Sequence, residues 1–350
     1  MVRKSAPSWW YKEGPIPLAA WGLWPVSAIY GAVAKRRLRR ARPYRSALHV
    51  ICVGNFTMGG AGKTPVALKV AALLKEAGRN PGFLTRGYGG SETGPHLVQE
   101  RDSADEVGDE PLLLARAAPT VVSRDRPLGA RLLQSLDVDA IVMDDGFQNP
   151  SLAKDFNIAV VDGGVGLGNG RVFPLGPLRA PLASQLGMAD AIVVLGGSGA
   201  LHYLDRELRS RPLPIFRARI VPLIGDELRE RRFVAFCGIG RPAKFLDTLR
   251  EAGATLVKTR SFPDHHAYTE AEARLLLGEA KALKAALITT EKDAARLKGK
   301  PGALGELYRY AAALPIAAQF FEEDEAELSR LLLKAIGADP RDTLLETLPL

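Results

Sequence analysis

Cysteine is scarce in this sequence, since only Cys52 and Cys237 occur among 350 residues, far apart and outside any CxxC or Cys/His cluster. Two isolated cysteines exclude a disulfide framework and argue against a structural zinc site, and they fit a reducing cytoplasmic compartment. A signal peptide is not predicted either. Positive charge follows the first apolar stretch instead of preceding it, and no small-residue cleavage site comes before the expected fold.

Acidic residues are missing from 35–45, KRRLRRARPYR, where seven Lys or Arg lie close together. This run supplies most of the formal net charge of +8, so the rest of the chain is nearly neutral. A broad nucleic-acid-binding face is therefore not expected.

Charge is absent from 16–34, a stretch rich in tryptophan that directly precedes the basic run. A spanning helix needs about 20 apolar residues, and Pro17 and Pro25 interrupt this one. We predict that 1–45 is a membrane-interacting segment. A helix or helix pair would lie in the interface, and residues 9–45 would contact the lipid surface. The alternative is a buried N-terminal helix followed by a solvated basic tail.

From residue 46 onward, short apolar runs alternate with helical patterns. The runs that read as buried strands are 47–53, 81–86, 118–123, 139–145, 156–162 and 189–195, and helical patterns occur at 66–78, 110–117 and 126–136. Near-continuous Val/Ile/Leu runs between helices predict a parallel sheet covered on both faces.

A stretch rich in proline and arginine interrupts the alternation, which then resumes and ends with a strand at 314–321 and a helix at 324–337. The predicted fold is α/β, a P-loop-type doubly wound parallel sheet with a second, smaller α/β domain and an N-terminal membrane-associated helix. The expected boundaries are 46–210 for the nucleotide-binding domain, 211–232 for a linker, 233–338 for the second domain and 339–350 for a tail.

The glycine-rich stretch GNFTMGGAGKTP, 54–65, lies between the first strand and the first helix. The general phosphate-loop pattern requires glycine where Thr57 stands, but the strand, loop and helix order is the one that phosphate binding needs. We predict an ATP site in which Lys63 reaches the outer phosphates and the Thr64 hydroxyl faces Mg²⁺. The backbone of the loop would be supplied by Thr57, Gly59, Gly60, Ala61 and Gly62. The alternative is a glycine-rich turn that binds nothing.

Two carboxylates, Asp144 and Asp145, end a predicted strand at the edge where ligands of parallel sheets bind. A phosphate loop needs an acid that holds Mg²⁺ directly or through water, and this pair is the best candidate. As structure alone, the two residues would form a turn before Gly146.

Seven motifs occur in the order and spacing of the tetraacyldisaccharide 4'-kinase family of Gram-negative bacteria, which this chain resembles from about 15 to 335. They are GNFTMGGAGKTP, LTRGYGG, VGDEP, VMDDGFQN, GRVFPLGPLR, FPDHHAY and TTEKDAARL. The resemblance implies a membrane-associated phosphotransferase of lipid A biosynthesis at the cytoplasmic face of the inner membrane. It would move the γ-phosphate of ATP to the 4'-hydroxyl of a lipid-linked disaccharide 1-phosphate, in a cleft between two α/β/α units. No obligatory protein partner is expected.

The same resemblance implies roles for individual residues. Asp109 would accept the proton of the sugar hydroxyl, Glu110 would lie at the metal and phosphate end, and His265 would pair with Asp109. Tyr88 would lie near the site. Two alternatives stay open for Arg86, Arg124 and Arg126: each contacts a phosphate, or each is an ordinary solvated or salt-bridged arginine. Arg179 matches the family in LGPLR.

Some positions depart from the family pattern or remain undecided. Ala180 stands where Glu is usual and Asn149 where His is usual, so the resemblance implies no role for these two positions. Lys292 and Asp293 either contact the nucleotide or brace the second domain.

Two other function classes compete with the kinase. One is a membrane-associated switch ATPase of the partition or metal-insertion type, but Met58 stands where those proteins carry a signature lysine. The other is a non-catalytic nucleotide-binding adaptor, which would not need acid pairs at both 109–110 and 144–145.

Overall fold

The first strand, β1 (His49–Asn55), is buried from its second residue onward and lies at the centre of a nine-stranded sheet. The computed structural model describes residues 6–11, 14–197, 208–209 and 211–337. The other strands of this sheet are β2 (Pro81–Thr85), β3 (His96–Leu97), β4 (Thr120–Val122), β5 (Ala140–Asp144), β6 (Phe156–Asp162), β7 (Ala191–Leu195), β8 (Ile215–Pro222) and β13 (Ile316–Phe320). Their order is β13-β8-β7-β6-β1-β5-β2-β4-β3. Only the two edge strands, β3 and β13, run antiparallel to their neighbours among the described residues.

Helices cover both faces of the nine-stranded sheet. We call the sheet and these helices together the large unit. They are α1 (Leu18–Trp21), α2 (Trp24–Arg40), α3 (Lys63–Glu76), α4 (Ala104–Val107), α5 (Asp109–Leu114), α6 (Arg126–Gln134), α7 (Leu182–Leu186) and α12 (Glu322–Ala335). Apolar side chains of α3 and α12 pack on one face, and those of α6 and α7 pack on the other. Burial on both faces explains why the central strands are continuous apolar runs and do not alternate with polar residues.

A four-stranded parallel sheet forms the core of a small unit. Its strands are β9 (Arg232–Cys237), β10 (Thr255–Ser261), β11 (Ala286–Thr290) and β12 (Ala311–Leu314), in the order β10-β9-β11-β12. Its helices are α8 (Pro242–Glu251), α9 (Glu270–Ala282), α10 (Glu291–Leu297) and α11 (Gly302–Tyr310). Short 3₁₀ helices also span Ser8–Trp10, in the N-terminal segment, and Asp226–Leu228, before β9. The predicted α/β class, with a doubly wound sheet and a second smaller α/β unit, is confirmed.

Two segments lie in the large unit although the sequence assigned them elsewhere. The stretch 211–232, predicted as a linker, contains β8, which pairs in parallel with β7. The strand and helix predicted to close the second domain are β13, which pairs antiparallel with β8, and α12, which packs on α3. These predictions are wrong because the chain crosses to the small unit and then returns to extend the first sheet.

The N-terminal helix α2 presents an apolar face to the exterior. Trp24, Val26, Ile29 and Val33 are each more than half exposed, whereas Gly31 is buried against the rest of the large unit. The last turn of the helix carries arginines. Within the part of the chain that the structure describes, no helix combines the length and the apolar character needed to cross a bilayer.

Close packing between β1 and the turn after β5 gives a stability prediction. A methyl group at Gly54 would overlap the Cβ atom and backbone of Phe147, a buried side chain, so the Gly54→Ala variant should lose about 1–3 kcal/mol of unfolding free energy. Gly278 lies exposed within α9 with no atom within 4 Å of an added methyl group, so Gly278→Ala should gain up to about 1 kcal/mol. Denaturant unfolding measures both. Equal stability of the two variants would contradict this packing.

Candidate active site

The phosphate loop joins β1 to α3 and is fixed by contacts on both sides. Gly62 caps α3 with a φ of +84°, in the left-handed region, and a side chain there would collide with Leu195. The Asn55 side-chain amide donates to the Gly59 carbonyl over 3.3 Å. The Tyr11 hydroxyl, from the N-terminal segment, donates to the Met58 carbonyl over 2.8 Å. The loop therefore enters the helix with its shape already set.

Asp145 gathers two cations beside this loop. Arg179 Nη1 donates to its Oδ1 over 2.9 Å, and Lys63 Nζ lies 3.5 Å from the same oxygen. Arg179 also donates through Nε to the Thr57 carbonyl, 2.9 Å away, which links the acid to the first position of the loop. Burial opposes ionisation of Asp145, but Lys63 and Arg179 outweigh it and lower its pKa to about 2.

Asp144, the neighbouring acid, is buried in a different setting. Its Oδ2 accepts a hydrogen bond from the Thr64 hydroxyl over 3.1 Å, and its Oδ1 is buried without a partner among the described residues. Burial, and next the charge of Glu110, raise its pKa to about 7. A buried oxygen without a donor is suited to a cation.

The carboxylate of Asp109 meets side chains of the small unit. His265 Nδ1 lies 3.4 Å from Asp109 Oδ2, and the Tyr88 ring contacts the His265 ring edge to face with 5.1 Å between centroids. Arg296, on α10, donates to the same oxygen through Nε over 2.7 Å. Burial opposes ionisation, but the His265 hydrogen bond and the Arg296 charge hold the pKa of Asp109 below its usual range.

Glu110, the neighbour of Asp109, is paired with a cation of the small unit. Its carboxylate forms an ion pair with Lys292 of α10, so this lysine also reaches across to the large unit. Burial opposes ionisation of Lys292, but Glu110 and then Asp109 outweigh it and raise its pKa.

The remaining arginines of the predicted site differ in placement. Arg126 is buried near the charges of Asp144 and Asp145, donates to the Ser123 carbonyl over 2.7 Å, and has an Nε without a partner among the described residues. Burial lowers its pKa to about 10. Arg86 and Arg124 are exposed, and the contact described for Arg124 is its backbone N–H to the Thr93 carbonyl.

The two departures from the family pattern occupy ordinary structural positions. Ala180 is buried and its carbonyl accepts from Gln185 over 2.8 Å, while the Asn149 side chain accepts from the backbone and hydroxyl of Ser151 in a local turn. Neither contact involves the acids of the site.

Sequence reasoning missed Arg296, which belongs to the motif TTEKDAARL. A signal was present, because an Asp and an Arg three residues apart share one face of a helix. The motif also stood in a region whose position relative to Asp109 depends on how the two units pack, which the sequence does not reveal.

Comparisons with known proteins agree on one family. Residues 19–337 match the family model described as Tetraacyldisaccharide-1-P 4'-kinase. The chain is 52% identical over 334 residues to the tetraacyldisaccharide 4'-kinase of Methylobacterium radiotolerans, covering 95% of this chain and 99% of that one. It is 49% identical over 317 residues to the protein of the same name from Parvibaculum lavamentivorans, covering 89% and 93%.

A solved structure is also similar, the "apo" form of LpxK from Aquifex aeolicus in complex with ATP. It is 27% identical, with a TM-score of 0.70, and the match covers 91% of this chain and all of that one. With the family model matched over nearly the whole chain and relatives at about half identity, this protein belongs to the tetraacyldisaccharide 4'-kinase family, the kinases of lipid A biosynthesis.

Proposed function

We propose that this chain transfers the γ-phosphate of ATP to the 4'-hydroxyl of tetraacyldisaccharide 1-phosphate. The observation that carries the proposal is the contact of Asp109, from the large unit, with His265, from the small unit. A sugar hydroxyl needs a positioned carboxylate near the phosphate loop, whereas a switch ATPase positions water and has no use for an acceptor site between two units.

The nucleotide phosphates would lie on the loop formed by residues 57–64. Backbone N–H groups of Gly59, Gly60, Ala61 and Gly62, together with the helix N terminus, favour an anion there. Lys63 would reach the outer phosphates, and Arg179 would hold Asp145 and the carbonyl of Thr57 in place. The ATP complex of the Aquifex aeolicus relative supports this assignment.

A magnesium ion fits beside Asp144. The Thr64 hydroxyl and the buried Oδ1 of Asp144, which has no partner in the described part of the chain, are hard oxygen ligands, the kind that Mg²⁺ prefers. The described residues contain no group of three or more His, Cys, Asp or Glu close enough to hold a metal by themselves. Mg²⁺ bound to nucleotide typically has few protein ligands, and when bound it would neutralise charge on the phosphates. A direct role of Glu110 at the metal stays a prediction.

Asp109 would orient the acceptor and receive its proton. In the transfer, the 4'-oxygen bonds to the γ-phosphorus, the bond from that phosphorus to the β–γ bridging oxygen breaks, and ADP leaves. Oδ2 of Asp109 is engaged by Arg296 and His265, whereas Oδ1 accepts the backbone N–H of Glu110 over 2.9 Å and retains a lone pair for the hydroxyl. A carboxylate of low pKa is a weak base, so its main contribution is positioning.

Arginines would contact the phosphates of the substrate, and Tyr88 would contact its sugar. Arg126 is buried near the charges of Asp144 and Asp145, and its Nε has no partner among the described residues. Arg86 and Arg124 are exposed on the same unit. Arginine suits bidentate phosphate contacts.

The exposed apolar face of α2 and the basic run after it would rest on the cytoplasmic face of the inner membrane. Apolar side chains would enter the interface and the arginines would contact anionic lipid headgroups. We further propose that the large and small units act as two domains that close around the substrate, with β8, β13 and α12 moving with the large one.

Removal of the Asp109 carboxylate should stop transfer but leave nucleotide binding intact. The Asp109→Ala variant should lose about 10²–10⁴-fold in turnover, with an ATP dissociation constant within about twofold of wild type. Transfer of labelled γ-phosphate to the lipid fraction measures turnover, and Asp226→Ala, at an exposed carboxylate, is the control. Turnover near that of wild type would contradict the proposed role of Asp109.

Removal of the Asp144 charge should weaken the use of magnesium. Loss of one charged ligand contact costs about 1.5–3 kcal/mol, so Asp144→Asn should raise the half-saturating Mg²⁺ concentration about tenfold or more. A magnesium titration of turnover at saturating ATP measures this, with Asp226→Asn as the control. An unchanged titration would remove Asp144 from the metal site.

A charge on the exposed face of α2 should reduce membrane binding. Burying one isoleucine side chain contributes about 1.5–3 kcal/mol, so Ile29→Glu should lower partitioning onto anionic vesicles at least about tenfold. Leu275→Glu, at an exposed leucine of α9, should leave partitioning unchanged. Equal partitioning of the two variants in a vesicle sedimentation assay would contradict this surface.

A further inference from the structure

Arg296 makes a two-donor contact with the proposed acceptor-orienting acid. Its Nε donates to Asp109 Oδ2 over 2.7 Å, and its Nη2 donates to the same oxygen. Both side chains are largely buried, with 11% of the arginine side chain and 2% of the aspartate side chain exposed. Two donors on one oxygen fix the direction of the carboxylate as well as its charge.

The remaining nitrogen of the same guanidinium, Nη1, donates to groups of the small unit. Arg296 Nη1 donates to Asp293 Oδ1 over 2.7 Å and to the Gly238 carbonyl over 2.8 Å. That carbonyl also accepts the backbone N–H of His265 over 3.0 Å. One arginine thus contacts both the acid of the large unit and the carbonyl that accepts the backbone N–H of its histidine partner.

Asp293 makes the arginine rigid. Its Oδ1 also accepts from the Tyr268 hydroxyl over 2.8 Å and from the Gly238 N–H over 2.9 Å, and its Oδ2 accepts from the Thr290 hydroxyl over 2.6 Å. Asp293 is completely buried. With every side-chain oxygen bonded, this aspartate leaves its arginine little freedom to turn away from Asp109.

We propose that Arg296 is a positioning residue of the transfer reaction, which sets the carboxylate of Asp109 against His265 when the two units meet. The inference rests on the proposed role of Asp109. By binding Oδ2 of Asp109, Arg296 leaves Oδ1 as the oxygen available to the acceptor hydroxyl. It also answers what TTEKDAARL does, since Asp293 and Arg296 brace the site from the small unit.

A purely structural arginine is the competing explanation. Such a residue would hold the units together, and its loss would lower stability and weaken nucleotide and lipid binding along with turnover. A positioning residue instead affects the chemical step, because a misplacement of about 1 Å costs on the order of 10²-fold in rate. The division of the effect between kcat and KM therefore separates the two roles.

The test compares two substitutions that each keep part of the arginine. Arg296→Gln keeps donors without charge, and kcat should fall on the order of 10²-fold while the KM values for ATP and for the disaccharide stay within about threefold. Arg296→Lys keeps the charge without the fork and should recover part of that loss. Arg274→Gln, at an exposed arginine of α9, is the matched control and should behave as wild type.

Two outcomes with the Arg296 variants would overturn the proposal. One is a kcat of Arg296→Gln within about threefold of wild type, and the other is a loss confined to KM or to the fraction of folded protein in both variants. If Asp109→Ala is inactive while Arg296→Gln is fully active, the positioning role fails and the role of Asp109 survives. If Asp109→Ala is active, both fail.

Discussion

The structure depends on the contact of a buried carboxylate of one unit with an arginine and a histidine of the other. Asp109 lies on α5 of the large unit, and its partners Arg296 and His265 belong to the small unit. Separating such a buried pair leaves an uncompensated charge, which typically costs about 3–5 kcal/mol. The proposed chemistry and the packing of the two units are therefore linked, because the group proposed to face the acceptor also contacts both units.

A second set of contacts fixes the donor side. The loop before α3 is held from the N-terminal segment through Tyr11 and from the acid end of β5 through Arg179. The stretch 171–179 also contacts α2, where the Ser27 hydroxyl donates to the Val172 carbonyl over 2.6 Å. The same short stretch thus touches both the helix with the exposed apolar face and the phosphate loop, which brings the proposed lipid surface close to the nucleotide.

The sequence was sufficient for features whose signal is local. The strand, glycine loop and helix around Lys63 follow from apolar runs and turn chemistry, and the structure forms β1 and α3 there. It was insufficient where the outcome depends on distant pairing. Along the sequence, the whole small unit separates the antiparallel edge strand β13 from its partner β8. Nothing in the local pattern of β13 therefore assigns it to the first sheet.

The same limit applies to the site. Asp144 and Asp145 could be predicted because the end of a parallel strand is a known location for ligands. The pairing of Asp109 with His265 came from resemblance to a family, since two residues 156 positions apart carry no local sign of contact. Arg296 was missed because its significance appears only when α10 is placed against α5.

We propose that one carboxylate, of Asp109, and one imidazole, of His265, act together in phosphoryl transfer although they belong to different units. A double-mutant cycle in single-turnover transfer, with Asp109→Asn, His265→Asn and the double variant, tests it most directly. The double variant should be about as slow as the slower single variant, because each substitution disables the same pair. If the two separate losses in rate multiply in the double variant, the residues act independently and the proposed pair is wrong.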